Sequence, residues 1–238
     1  MPVPRPPVEA SKPAPEAGSG EPAPEKPVQG PPAPATQTEK PEPPPPPPPI
    51  PEEDAAAVAA CLTELRSAGA VVKEAPRIDP ENGCGIARPV VVGQLASDIE
   101  IKPEATLRCE TALQLQRWTR DAVIPAIKAA TPQKRLVALN QASAYVCRNR
   151  NNEPNGKLSE HALGNAVDIA GFTYSDGSRL AIAPREKDAT IEGALQRAVV
   201  ASACLYFTTV LDPGSDAAHE THLHLDVKKR TNGYRYCW

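Results

Sequence analysis

Four histidines, His161, His219, His222 and His224, are all that this 238-residue chain contains, and they fall in two short segments. Imidazole is the commonest protein ligand for divalent zinc, so this clustering is the first pointer to chemistry. The second segment, Thr221-His222-Leu223-His224-Leu225-Asp226-Val227, alternates polar and apolar residues without error. On a strand, residues two apart share a face and lie about 7 Å from each other. His222, His224 and Asp226 would then point one way, while Leu223, Leu225 and Val227 pack on the core. Taken alone, such a pair of histidines is more often a solvated strand face.

The first segment changes that reading. His161 is followed by Gly164, Ala166 and then Asp168. Gly164 permits a tight turn or a positive φ, and the small Ala166 permits close backbone approach. The chain can therefore turn from His161 onto a strand whose Asp168 points back at the same spot, with Val167 and Ile169 facing the core. Two imidazoles and one carboxylate from these segments would fill three of the four tetrahedral positions on zinc. That leaves one position for water, the pattern of catalytic rather than structural zinc sites. Zinc so held acidifies water to a pKa near ~7 and polarises a carbonyl.

The elements around these segments read as α+β. Residues 53–68 suit a helix, with acidic residues at its start, Val58, Cys61, Leu62 and Leu65 on one face, and Gly69 as its stop. Residues 89–92 suit a short strand. A second helix is expected from Cys109 or Glu110 through Leu113, Leu115, Trp118 and Val123, with Pro125 kinking or ending it. One or two strands are expected over 135–147, then a polar, turn-prone stretch over 148–158. Ala166–Tyr174 reads as a strand, Asp176-Gly177 as a hairpin turn, 179–182 as the return strand, and Ile191–Ala203 as a third helix. Residues 221–227 would be the last strand. Helices packed on a central antiparallel sheet that carries the site is the expected architecture.

Composition narrows the class. Most of the 30 prolines precede Glu52, including an unbroken run from Pro43 to Pro49, and that stretch has no aromatic residue and no cysteine. Such a segment cannot bury enough apolar surface to offset its ordering entropy. Residues 1–51 are therefore expected to be a disordered, partly polyproline II tether, and residues 52–238 the folded domain. A formal net charge of −3 gives no reason to expect nucleic-acid binding. No apolar run is long enough to span a membrane. No signal peptide follows Met1, so either the protein is cytosolic or a leader, or a membrane anchor, precedes this sequence. The cysteines favour the second reading. Cys61, Cys84, Cys109, Cys147, Cys204 and Cys237 are even in number, dispersed and confined to the folded part, as expected of three disulfides made in an oxidising compartment. A bridge at Cys237 would pin a terminus that otherwise frays.

The segment SEHALGNAVD is similar to the SxHxxGxAxD motif of the LAS-type zinc peptidases, the group that includes D-Ala-D-Ala carboxypeptidases and the penicillin-insensitive murein endopeptidase. The spacing of His219, His222 and His224 resembles the endopeptidase pattern. More specifically, the stretch from about Cys61 to Cys237 resembles the bacterial extensin-like C-terminal domain family. The landmarks are CLTELRSAGA, CGIARPV, ATLRC, SAYVCRNRN, LSEHALGNAVDIAGF, DAAHETHLHLD and YRYC. The resemblance implies an LAS/hedgehog-like fold and a Zn2+ site held by His161, Asp168 and His224. It implies that His222 acts as general base or stabilises the transition state, that His219 assists it or orients substrate, and that Ser159 stands at the rim. Arg148, or equally Arg150, would contact a substrate carbonyl. The carboxypeptidase branch has an acidic base three residues before its last histidine ligand; that position is Thr221 here, which leaves the base open between His222 and Glu220. Asp226 would either orient a ligand imidazole or be solvated.

The function these readings imply is a zinc-dependent peptidase acting on peptidoglycan peptide stems or cross-links, monomeric, in the periplasm or cell envelope. The competing expectation is a non-catalytic peptidoglycan-binding or structural envelope protein that retains the site. A third is a zinc amidase or peptidase with a substrate outside the wall.

Overall fold

Local sequence sets most of the elements that frame the histidine segments. The computed structural model describes residues 48–80, 82–154 and 156–238, all within one unit, Pro45–Trp238. The tether expected over 1–51 lies outside the described residues apart from its last four. Helix α1 (Ala55–Ser67) begins where the Asp54 carboxylate accepts a hydrogen bond from the Ala57 N–H at 2.7 Å. It stops before Gly69, whose φ of +83° only glycine adopts readily. Strands β1 (Val71–Glu74), β2 (Pro89–Ala96) and β3 (Ile99–Arg108) follow as an antiparallel meander.

Helix α2 (Cys109–Trp118) does not end at Pro125, where the sequence suggested a kink or an end. A π turn, Thr119–Val123, carries it into α3 (Ile124–Ala130). Pro125 then sits in the first turn of α3, where its missing N–H and fixed φ are tolerated. Next come β4 (Leu136–Ser143), β5 (Ala166–Tyr174), β6 (Arg179–Ala181), α4 (Ile191–Ala203), β7 (Thr209–Leu211), β8 (Leu223–Asp226) and β9 (Tyr236–Cys237).

The described strands form one nine-stranded sheet in the order β1-β2-β3-β4-β5-β8-β7-β9, with β6 also paired to β5. The expected α+β class holds. The sheet is mixed rather than purely antiparallel, because β3 runs parallel to β4 and β7 parallel to β9. In β5 the ladder skips from Ile169 opposite Gln141 to Gly171 opposite Asn140. The extra residue, Ala170, is a bulge that brings Ile169 and Phe172 into the same core. Trp118 of α2 packs on Phe172 and Phe207 and donates its indole N–H to the Val199 carbonyl of α4. Val167, Ile169, Leu223 and Leu225 are fully buried in this core, so their neighbours Asp168, His224 and Asp226 face the opposite side of the sheet.

All six cysteines pair: Cys61–Cys109, Cys84–Cys147 and Cys204–Cys237. The first ties α1 to the start of α2, and the third ties β9 to the end of α4. Disulfides of this kind are made in oxidising compartments. Among the described residues no helix is long and apolar enough to cross a membrane.

Candidate metal centre

Two of the expected ligands are cross-strand neighbours. Asp168 on β5 stands directly opposite His224 on β8 in the antiparallel register, which puts their side chains side by side on one face. The third arrives from outside the sheet. Ser159 caps a short 3-10 turn, Glu160–Leu163, which ends at Gly164 with φ +67°. A Cβ at Gly164 would lie 2.4 Å from Ile86 Cδ1 and 3.1 Å from the Arg108 nitrogen, so both the turn and the close approach require glycine here. The Cys84–Cys147 bridge holds the neighbouring segment, from which the Gly85 N–H donates to the Ala162 carbonyl at 2.8 Å. His161 is thereby delivered, buried, to the face that carries Asp168 and His224.

The three side chains meet. His161 Nε2 lies 3.1 Å from His224 Nδ1, and the Asp168 Oδ1 atom is 3.2 Å from the first and 3.0 Å from the second. The outer nitrogens decide what these atoms carry. His161 Nδ1 lies 2.7 Å from the Ala144 carbonyl, and His224 Nε2 lies 3.2 Å from the Asp226 carboxylate. Carbonyls and carboxylates only accept, so each outer nitrogen holds the proton and each inner nitrogen of a neutral ring presents a lone pair. Three electron-rich atoms therefore crowd one point, which is stable only if a cation sits among them. A tetrahedral zinc ion with bonds of 2.0–2.1 Å wants its ligand atoms about 3.3 Å apart, close to the spacing found. His161, Asp168 and His224 are a group that could hold a metal ion.

Electrostatics agrees with that need. Burial alone would lower the basicity of His224, but hydrogen bonds to Asp168 and Asp226 outweigh it and push the imidazole up to about 9. Burial alone would raise Asp168, yet hydrogen bonds with His161 and His224 hold its carboxyl well below the usual carboxylate range. Without metal, a proton on His224 takes the place of the cation. Asp226, whose role the sequence left open, orients His224. It is itself fixed by the Thr209 hydroxyl at 2.6 Å and the Lys228 N–H at 3.0 Å.

A cleft of about 660 Å3 opens over the group, and His219, His222, Ser159, Arg148 and Arg150 all line it. His222 Nε2 is 3.7 Å from Asp168 Oδ2. Burial lowers its basicity, with Asp168 pulling the other way, so the ring is neutral near pH 7. His222 lies just before β8 rather than on a strand starting at Thr221. Beyond Ile169 the next acceptor on β5, the Ala170 carbonyl, is already taken by Ile182 N–H at the end of β6, so β8 can extend no further. His219 packs against His222 with ring centres 5.3 Å apart, and its Nδ1 lies 2.7 Å from the Asp216 carboxylate. Ser159 is buried, with its hydroxyl accepting from the His161 N–H at 3.4 Å. Arg150 reaches Glu160 at 3.5 Å. Glu220 is exposed and does not line the cleft.

Sequence reasoning did not find the Ala144 carbonyl, which carries no residue signature, nor Arg230 and Tyr236, which reach the cleft from the chain's last segment. Asp216 was legible in principle, three residues before His219 in DAAHETHLHLD.

No curated protein matches the chain. The match that identifies it runs over residues 59–238, covering both histidine segments and all three disulfides, and by it the chain belongs to the family described as Extensin-like protein C-terminus.

Proposed function

We propose that this domain is a zinc-dependent peptidase of the cell envelope that cuts peptide stems or cross-links of peptidoglycan. The observation that carries this reading is the triangle of three lone-pair atoms, 3.0 to 3.2 Å on a side, at the base of an open cleft. The similarity of SEHALGNAVD to the LAS-type motif supports the substrate class, and the three disulfides support an extracytoplasmic setting.

His161, Asp168 and His224 would hold the ion, and when bound, zinc supplies Lewis acidity that polarises a carbonyl and makes water a stronger acid. The protein's own groups do the rest. His222, neutral and half-buried beside Asp168, accepts the proton released when water attacks the amide carbon. It then returns that proton to the departing amine. His219, its Nδ1–H given to Asp216, braces the His222 ring. Arg148 and Arg150 supply positive charge on the cleft wall for substrate carbonyl or carboxylate oxygens. Glu220, exposed outside the cleft, has no part in this scheme.

The test is metal analysis of the purified protein together with chromatography of sacculi digested by wild type and by His224→Ala. The expected result is stoichiometric zinc, with muropeptide release by wild type that chelator and the substitution both suppress. Release by His224→Ala equal to wild type would overturn the reading. Two observations favour a second reading, a wall-binding module without activity: Glu160, the cleft glutamate, is tied to Lys228 and Asn165, and Thr221 stands where the carboxypeptidase branch has its acidic base. Binding of sacculi by zinc-loaded protein with no change in their fragment profile would support that module instead.

A further inference from the structure

Tyr236 and Trp238 stand two residues apart, and Cys237 between them turns the other way into its disulfide with Cys204. The two rings therefore share a face. Backbone bonds fix both positions: Tyr236 N–H donates to the Thr208 carbonyl at 2.8 Å and Trp238 N–H to that of Val210 at 3.0 Å. Tyr236 lines the metal cleft, and Trp238 lines a second cavity of about 550 Å3. The two residues are 45 % and 62 % exposed, in a chain with only 4 % aromatic residues whose other tryptophan is fully buried. An exposed, anchored indole beside a cavity marks a contact surface.

The wall of that second cavity adds an independent observation. Arg185 Nε and Asp212 Oδ1 are both buried there without a hydrogen-bond partner. The Ser215 hydroxyl, in the turn closed by its own N–H to the Asp212 carbonyl, is equally buried and unpartnered. Buried polar atoms are rarely left so. Arg185 and Asp212 put one donor and one acceptor on the wall of the cavity that Trp238 also lines, a recognisable pair beside an aromatic ring. A pyranose ring offers a C–H face for the indole, and an acetamido substituent offers both a carbonyl and an N–H.

We propose that the Tyr236–Trp238 face and the cavity beyond it bind a chain of N-acetylated amino sugars. The glycan would lie along this face while its attached peptide enters the metal cleft across Tyr236. This rests on reading the cleft as a site for wall peptide.

The probe is the β-1,4-linked tetramer of N-acetylglucosamine, with cellotetraose as the counterpart lacking acetamido groups, added to the full zinc-loaded chain. Because Trp118 is buried, the emission of the unaltered protein should shift to the blue and lose quencher access through Trp238 alone. Calorimetry should show binding weakened about tenfold by Trp238→Ala and by Asp212→Asn, while Trp238→Phe, which keeps a flat ring, retains most of it. Chelator-stripped protein should still bind the tetramer. Sugar binding without any cleavage of sacculi would therefore sink the peptidase reading and leave this one standing. Absence of tetramer binding at millimolar concentration overturns the proposal, as does equal affinity for cellotetraose. A dimer that sedimentation shows to be lost in Trp238→Ala also overturns it, since the face would then belong to a second copy of the chain.

Discussion

A metal ion taken up by this site would have to displace a proton, the one that hydrogen bonds to Asp168 and Asp226 hold on His224. In the metal-free protein, hydrogen bonds to Asp168 and Asp226 overcome burial and raise His224 to about 9. At pH 7 the site is then about 99 % protonated, two pH units below that value. On the function proposed, zinc would have to compete with this proton for Nδ1. The apparent affinity at pH 7 should be about 100-fold weaker than above pH 9, a difference of about 3 kcal/mol. It should strengthen about tenfold per pH unit between 7 and 9 and level off above. Titration calorimetry at pH 7 in two buffers of different ionisation enthalpy should report about one proton released per ion bound.

The same shift makes a second statement about the metal-free fold. Its folded value lies above the unfolded value of 6.5, so the extra stability is fully present below 6.5 and is lost as pH rises through about 9. The size is roughly 3 kcal/mol. Thermal melts of stripped protein should therefore fall between pH 7 and pH 9.5, and saturating zinc should abolish the fall. Affinity that stays flat over pH 7 to 9, with no proton released, would refute the argument that a proton and a metal ion are alternatives at one point.

Other expectations follow from particular atoms. His222→Gln should keep stoichiometric zinc by metal analysis while muropeptide release slows by about 100-fold to 10,000-fold; a loss of metal would mean that His222 is a ligand. Gln116 is buried in α2 with neither amide atom hydrogen-bonded, so Gln116→Met should raise stability in urea unfolding by about 1 kcal/mol or more, and a destabilised variant would show an unseen partner. Removing the Cys204–Cys237 bridge, which closes a loop of 33 residues, with paired serine substitutions should cost roughly 3 to 4 kcal/mol in the same assay; an unchanged midpoint would mean that β9 is held without it.

Much of this protein can be read along the chain because local chemistry decides it. Ala166–Tyr174 and Ile191–Ala203 have the expected bounds. Their signals are a turn-bounded apolar run and a helical periodicity, which need no distant partner. Three of the short strands had no such signal. Residues 71–74, 209–211 and 236–237 become strands because a neighbour offers a ladder edge, and β3 contains Pro103 and several charges that argue against a strand from sequence. The course of α2 into α3 also depended on context, since a π turn set Pro125 where a proline is harmless.

The sequence by itself determined which residue types the site could contain: four histidines in two motifs, a glycine where the backbone must go left-handed, and six cysteines in even number. Only the tertiary structure decided how they combine. Cross-strand register set Asp168 against His224, and the hydrogen bonds of Ala144 and Asp226 turned both inner nitrogens toward one point. The chain's path left Glu220 exposed while bringing Asp216 to His219. The physical reason is that spacing along a chain fixes only which face a side chain takes, whereas the convergence of the ligands depends on partners as far as 63 residues away.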